Sequence, residues 1–143
     1  MNPTYLVKGP VGIPVISAYL AALTEMKNCG GHASFMGQVR DDETGGRKVV
    51  AIEYSAYEAM VSKEAERIIS VTKEAFSDVH KIIILHSEGR VNTGEISLFV
   101  LVAAGHRDQA FRACRHVVEM IKIHYPVWKK EIFEDDTHQW REN

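Results

Sequence analysis

Apolar residues along this chain change their spacing from one segment to the next, and those changes mark out its elements. Ile16, Leu20, Leu23 and Met26 follow Pro14 at helical intervals, and Asn28 and Gly30-Gly31 end that run. Val61, Ala65, Ile68, Ile69, Thr72 and Phe76 repeat the same period, predicting a helix from Glu58 to about Asp78. A third helix is predicted from about Arg107 to His124, with Ala110, Phe111, Cys114, Val117, Val118 and Ile121 as its core stripe. Pro126 cannot continue it and biases Tyr125 out of the helical region.

Between the helices the period shortens. Residues 5–8, 32–40, 49–57, 79–85 and 95–104 read as strands, the last two joined by the polar stretch HSEGRVNTG. In the strand ending at Ala104, Ile96, Leu98, Val100 and Val102 face one way, and Phe99, Leu101 and Ala103 the other. Apolar side chains on both faces predict a central strand covered on both sides. Asp41 to Lys48 (DDETGGRK) reads as a polar turn or mobile loop, and an extended tail carrying Trp128, Phe133 and Trp140 closes the chain. Strands in hairpin-like neighbours, interrupted by three helices, predict an α+β fold with a mostly antiparallel sheet. At 143 residues and 45% hydrophobic content, one domain over residues 1–143 is the expected organisation.

Charge and composition then remove several function classes. A net charge of −2 supplies no global basic field for nucleic acid or an anionic membrane. The longest apolar run, Ile96 to Ala104, is too short to span a bilayer, and MNPTYLVKGP lacks the pattern of a secretion signal. Cys29 and Cys114 form no metal or redox motif. A disulfide between them stays open, with a reducing cytoplasm as the simpler reading. The seven histidines show no HExxH-like pairing, so no metal site is expected.

The exception to this mild balance is local. Within residues 106–130, Arg107, Arg112, Arg115, Lys122, Lys129 and Lys130 face only Asp108 and Glu119. His106-Arg107 opens a helix after a buried strand, where free N–H groups and the helix dipole favour an anion. A surface arginine beside a capping histidine explains the pair equally well. Arg107, however, shares the phase of Ala110, Cys114 and Ile121, which predicts it at the core margin. Lys122 borders the same stripe. A buried stem with a hydrated head is the plain account, and partial desolvation that lowers its proton affinity is the functional one. Lys129 lies beyond the Pro126 break, where the chain can fold back toward the helix end. Arg40 ends the strand GQVR, in which Gly37 leaves room for a close approach.

The succession GQVR, IEYSAYEAM, GHRDQAF, IKIHYPVWKKE and a final Trp resembles the large, catalytic subunit family of molybdopterin synthase, over nearly the whole chain. The family pattern has His-Arg-x-Gly where this chain reads His86-Ser87-Glu88-Gly89-Arg90, which leaves Arg90 as the nearest arginine. The resemblance implies an α/β-hammerhead fold and conversion of cyclic pyranopterin monophosphate (precursor Z) into molybdopterin by insertion of two sulfurs, with no bound cofactor. It implies a small ubiquitin-like partner whose C-terminal Gly-Gly thiocarboxylate donates sulfur, and a homodimer of this chain within a heterotetramer. By motif, Lys122 and Lys129 correspond to the catalytic lysines. Gln38, Val39, Arg40, His106, Arg107, Lys130 and Glu131 correspond to substrate-binding positions. The anion pocket in such an assembly can draw on both large subunits. A non-catalytic pterin- or phosphate-binding scaffold is the alternative, and an acyl-transfer enzyme using Lys122 as a covalent nucleophile is a further one.

Overall fold

The computed structural model describes residues 4–141. Strand β1 is Leu6–Lys8, followed by helix α1 (Ile13–Ala22) and a single 3-10 turn at Leu23–Glu25. Then come β2 (Gly31–Gln38), β3 (Glu43–Thr44), β4 (Arg47–Ala56), α2 (Glu58–Ala75), β5 (Val79–Asn92) and β6 (Ile96–Ala104). Helix α3 (Arg107–His124) and strands β7 (Val127–Phe133) and β8 (His138–Arg141) complete the order. The main sheet path is β2-β6-β5-β4-β7-β8, with β1 parallel to β5 and β3 antiparallel to β4. Apart from β1, every pairing is antiparallel, so the α+β expectation holds.

Strand β6 occupies the doubly covered position predicted for it. Leu98, Val100, Val102 and Ala104 enter one core with Val61, Ala65 and Ile68 of α2 and Val117, Val118 and Ile121 of α3. Phe99, Leu101 and Ala103 enter the other, with Ile16 of α1 and Leu23. The polar turn is a hairpin: β3 and β4 pair around Gly45 and Gly46, whose φ values of +59° and +77° suit residues without a Cβ. The tail is a second hairpin, β7 with β8.

The polar stretch after Leu85 differs from the expectation of a loop. Strand β5 runs on through it to Asn92, changing partners on the way. It pairs with β6 from Val79 to His86 and with β4 from Gly89 to Asn92. At the hand-over the chain turns at Gly89 (φ +93°), and His86 and Ser87 are buried. A strand that changes neighbours midway cannot keep one apolar face, and so the alternation lapses there.

Helix α3 has the predicted limits, with one shift in its stripe. Phe111 is 66% exposed, and Ala113 takes the buried place instead. At about 100° per residue, Phe111 lies at the rim of an arc centred near Ile121.

Candidate active site

The hand-over in β5 leaves a cavity of about 500 Å³ between the two halves of the sheet. Phe35, Gly37 and Gln38 of β2, with Ser97 and Leu98 of β6, form one wall. Ile52 and Tyr54 of β4 and Lys129 and Glu131 of β7 form the other, with His86 between them. Ile121 and Lys122 of α3, followed by Tyr125, close one end.

Each predicted cavity residue arrives there for a local reason. A register shift at Gly37/Gln38 breaks the β2–β6 ladder, and a bulge of this kind re-aims the side chains that follow it. Val39 is then pinned by backbone bonds, donating to Glu95 O (3.0 Å) and accepting from Gly94 N (2.8 Å). Beside it Gln38 and Arg40 stay exposed on the rim, where Arg40 Nε lies 3.4 Å from Asp42 Oδ1. Gly37 is needed for close packing: an added Cβ would meet Leu98 Cβ at 3.3 Å and the Phe35 ring at 3.4 Å.

At the other wall, Pro126 holds Tyr125 at ψ 128° and stops α3 at His124, two residues after Lys122. The chain reverses into β7, so Lys129 returns to the cavity that Lys122 borders. Lys122 is exposed, and partial burial falls on Lys129 instead. Desolvation, then the charges of Lys122 and Arg141, hold the Lys129 ammonium below its ordinary 10.5, against a smaller opposing effect from Glu131. A lysine so placed gives up its proton more readily than one in water. Glu131 is 3% exposed, and Arg141 of β8 donates to its Oε2 at 3.2 Å.

Alternation along β7 separates the two neighbouring lysines. Val127, Lys129 and Glu131 face the cavity, while Lys130 lies on the opposite face of the strand, 3.7 Å from Glu53 Oε2 and with its ammonium 5.5 Å from the Trp140 ring centre. Lys130 is therefore outside the cavity.

His106 and Arg107 also lie elsewhere. They open α3, and at about 1.5 Å rise per residue they sit roughly 22 Å along the helix from Lys122. His106 is held by Asp78, whose Oδ2 accepts from the His106 backbone N–H (2.7 Å) and faces its Nδ1 at 3.1 Å. The Asp78 N–H in turn donates to Gln109 Oε1 at 2.8 Å. This reciprocal arrangement caps the helix from a distant loop. Arg107 is exposed, not at the core margin as its phase suggested. It is the first helical residue, and what packs there is its backbone: an added Cβ on Gly31 would lie 3.8 Å from Arg107 Cα.

Four cavity residues escaped sequence reasoning. Tyr54, His86 and Tyr125 are buried on the lining, and Arg141 adds a guanidinium from β8. Two of them had a usable signal: His86 opens the segment that stands for the His-Arg-x-Gly pattern of the resemblance, and strand alternation opposite an outward Trp140 turns Arg141 inward. Ser87, which stands where the resemblance expects an arginine, is fully buried, and its hydroxyl has no partner among the described residues. Arg90 is exposed and donates to Asn92 Oδ1 at 2.9 Å, away from the cavity. Among the described residues no three His, Cys, Asp or Glu side chains lie together as metal ligands.

Residues 14–124 match the profile of a family described as MoaE protein. The chain is 35% identical over its whole length to a molybdopterin synthase catalytic subunit of Drosophila willistoni, of which it spans 37%. It is 34% identical over 89% of its length to the subunit of the same description from Nostoc sp., of which it spans 76%. The chain thus spans under two-fifths of the Drosophila protein and about three-quarters of the Nostoc one. Among solved structures, molybdopterin synthase from Staphylococcus aureus superposes with a TM-score of 0.84 at 28% identity, covering 100% of this chain and 99% of that one. A complex of subunits 1 and 2 of the molybdopterin-converting factor from Helicobacter pylori shares the fold, with a TM-score of 0.80 at 21% identity over 94% of this chain and 87% of that one.

Proposed function

The chain belongs to the MoaE protein family, and from that membership we propose that it is the catalytic subunit of a molybdopterin synthase, acting in molybdenum cofactor biosynthesis. In this reading it converts precursor Z into molybdopterin, and a small ubiquitin-like subunit brings each sulfur as a C-terminal Gly-Gly thiocarboxylate. At each transfer the thiocarboxylate sulfur bonds a carbon of the pterin side chain and displaces an oxygen substituent of that carbon. Water then cleaves the resulting thioester, so that the sulfur stays on the pterin and the donor leaves as a carboxylate. The structural neighbour solved as a complex of subunits 1 and 2 supports a partner of this kind.

The observation that carries the reading is the convergence of Lys122 and Lys129, from two elements, on one cavity with Arg40 at its rim. Its volume of about 500 Å³ lies within the range of roughly 300–1,000 Å³ usual for small-molecule sites. A phosphorylated ring needs fixed cations, and a tetrahedral centre at the thiocarboxylate needs stabilised negative charge and a moved proton. We assign Lys122, on the exposed rim, to the partner's terminal carbonyl. Lys129, half-buried and with a weakened hold on its proton, contacts substrate and stabilises charge as it develops. Gln38, Val39, Arg40 and Glu131 shape and charge the substrate wall. His106 and Arg107, roughly 22 Å along α3, serve the site of the neighbouring protomer in a homodimer of this chain.

The test is to incubate the protein with precursor Z and thiocarboxylated partner and follow molybdopterin as its fluorescent oxidation product. Lys122→Ala should abolish product while partner binding persists. Full retained activity in that variant refutes the assignment.

A further inference from the structure

His86 is a buried, titratable group on the cavity wall that the sulfur chemistry above does not use. It is 7% exposed, and its ring is fixed on two sides, edge-on to Tyr54 (5.1 Å between ring centres) and tilted against Tyr125 (6.1 Å). Its Nδ1 lies 2.7 Å from the carbonyl oxygen of Ser87. A carbonyl can only accept, so Nδ1 carries the ring proton and Nε2 is left with a bare lone pair. Nε2 has no hydrogen-bond partner among the described residues.

The rest of the cavity sharpens what that lone pair is for. Arg40, Lys122, Lys129 and Arg141 can only donate, and they suit a phosphate, which in its ionised form accepts. The two carboxylates are already engaged, Asp42 with Arg40 and Glu131 with Arg141. The Tyr54 hydroxyl gives its proton to Ser97 Oγ at 3.1 Å, which leaves its oxygen as a second neutral acceptor beside His86. A reduced pterin, by contrast, presents ring N–H and amino groups, and buried donors of this kind need an acceptor.

We propose that His86 Nε2 accepts a hydrogen bond from a ring N–H or amino group of the pterin, so that His86 reads the heterocycle while the cations read its phosphate. This rests on the reading that the ligand is a phosphorylated pterin. Burial above all, with the nearby Lys129 charge adding to it and the Ser87 bond opposing, pushes the imidazole down to about 4. At neutral pH the ring is therefore an acceptor and a poor proton carrier, which makes His86 a recognition group and not the acid or base of the reaction.

Calorimetric titration with neopterin monophosphate and with inorganic phosphate separates the two recognition functions. His86→Phe keeps the ring volume and removes the acceptor, and should weaken neopterin monophosphate roughly ten-fold while leaving phosphate within about two-fold. His86→Gln restores an oxygen acceptor and should recover most of the loss. In the wild-type protein, the Nε2 nitrogen resonance of His86 should move on adding neopterin monophosphate and stay put on adding phosphate, a readout that does not depend on any variant folding. Equal weakening of both ligands, unchanged pterin binding in His86→Phe, or an unmoved Nε2 resonance overturns the inference. If the wild-type protein makes molybdopterin and any of these occurs, only the role of His86 falls. If the wild-type protein binds neither probe, the functional reading falls with it.

Discussion

The pair at the cavity's open side, Arg141 with Glu131, predicts unequal costs for its two halves. The Glu131 side chain is 4% exposed and that of Arg141 49%, at 3.2 Å. Removing one partner of a fully buried pair costs about 3–5 kcal/mol, mostly because the other charge is stranded. In Arg141→Ala the stranded group is the buried carboxylate. The half-exposed position of Arg141 and the neighbouring Lys129 charge both soften the loss, so about 1–2 kcal/mol is expected. In Glu131→Gln the group left behind is a guanidinium that water can reach, and the amide oxygen still accepts its hydrogen bond, for a cost of about 0.5 kcal/mol. For a chain of this size 1 kcal/mol moves Tm by about 2–4 °C. Thermal unfolding should therefore drop by about 2–8 °C in Arg141→Ala and by about 1–2 °C in Glu131→Gln. The double variant should fall well short of the sum, since it leaves no stranded charge. If Glu131→Gln melts at or below Arg141→Ala, the carboxylate is not the buried half of the pair and the argument fails.

Lys129→Met should lose dithiolene formation yet unfold at a higher temperature than the wild type at neutral pH. Lys129 has a folded-state proton affinity below its ordinary 10.5, so its charge weighs against the fold at every pH below that depressed value. The penalty lifts as pH climbs from the depressed value to 10.5, and the Tm gap between the two proteins should narrow over that window. Gly30→Ala would place a Cβ 2.3 Å from the Gly105 carbonyl oxygen, a backbone atom that cannot step aside, and should cost about 1–3 kcal/mol in chemical denaturation. Gly12→Ala, whose nearest contact would be an ordinary 3.7 Å to Pro14 Cδ, should stay within about 0.5 kcal/mol of the wild type.

What could be read from the sequence is what depends on neighbours in the chain. The limits of α3, the two apolar faces of β6 and the break at Pro126 all follow from spacing within a dozen residues, and they suffice to bring Lys129 back toward Lys122. The rest depends on distant partners. Nothing near His106 announces that Asp78, 28 residues earlier, will hold both its backbone and its ring. Nothing near His86 shows that the strand is changing neighbours there, and a polar stretch with a glycine reads as a loop until the second half-sheet is in place. Arg107 failed for the opposite reason: its phase was right, but a helix's first residue meets the sheet with its backbone.

The partner change in β5 also explains why a close-packed chain keeps a cavity of this size at all. Interiors fill to crystal density when their layers stay parallel, and the two half-sheets here cannot, because one strand serves β6 over Val79–His86 and β4 over Gly89–Asn92. The wedge between them is lined by groups that resist collapse. Lys129 and Arg141 repel one another, Glu131 is tied to Arg141, and Tyr54 is tied to Ser97. Every one of these side chains stands on a strand and none on a free loop, so the spacing of the cations is set by sheet register: Lys129 opposite Tyr54 on one side and Arg141 on the other. The exceptions are Lys122, carried by a helix end, and Arg40, just past the end of β2, and both are exposed. The geometry thus pairs a strand-borne, partly dry floor suited to holding a ring with an exposed ammonium at the rim, where in the proposed reading an incoming peptide terminus would arrive.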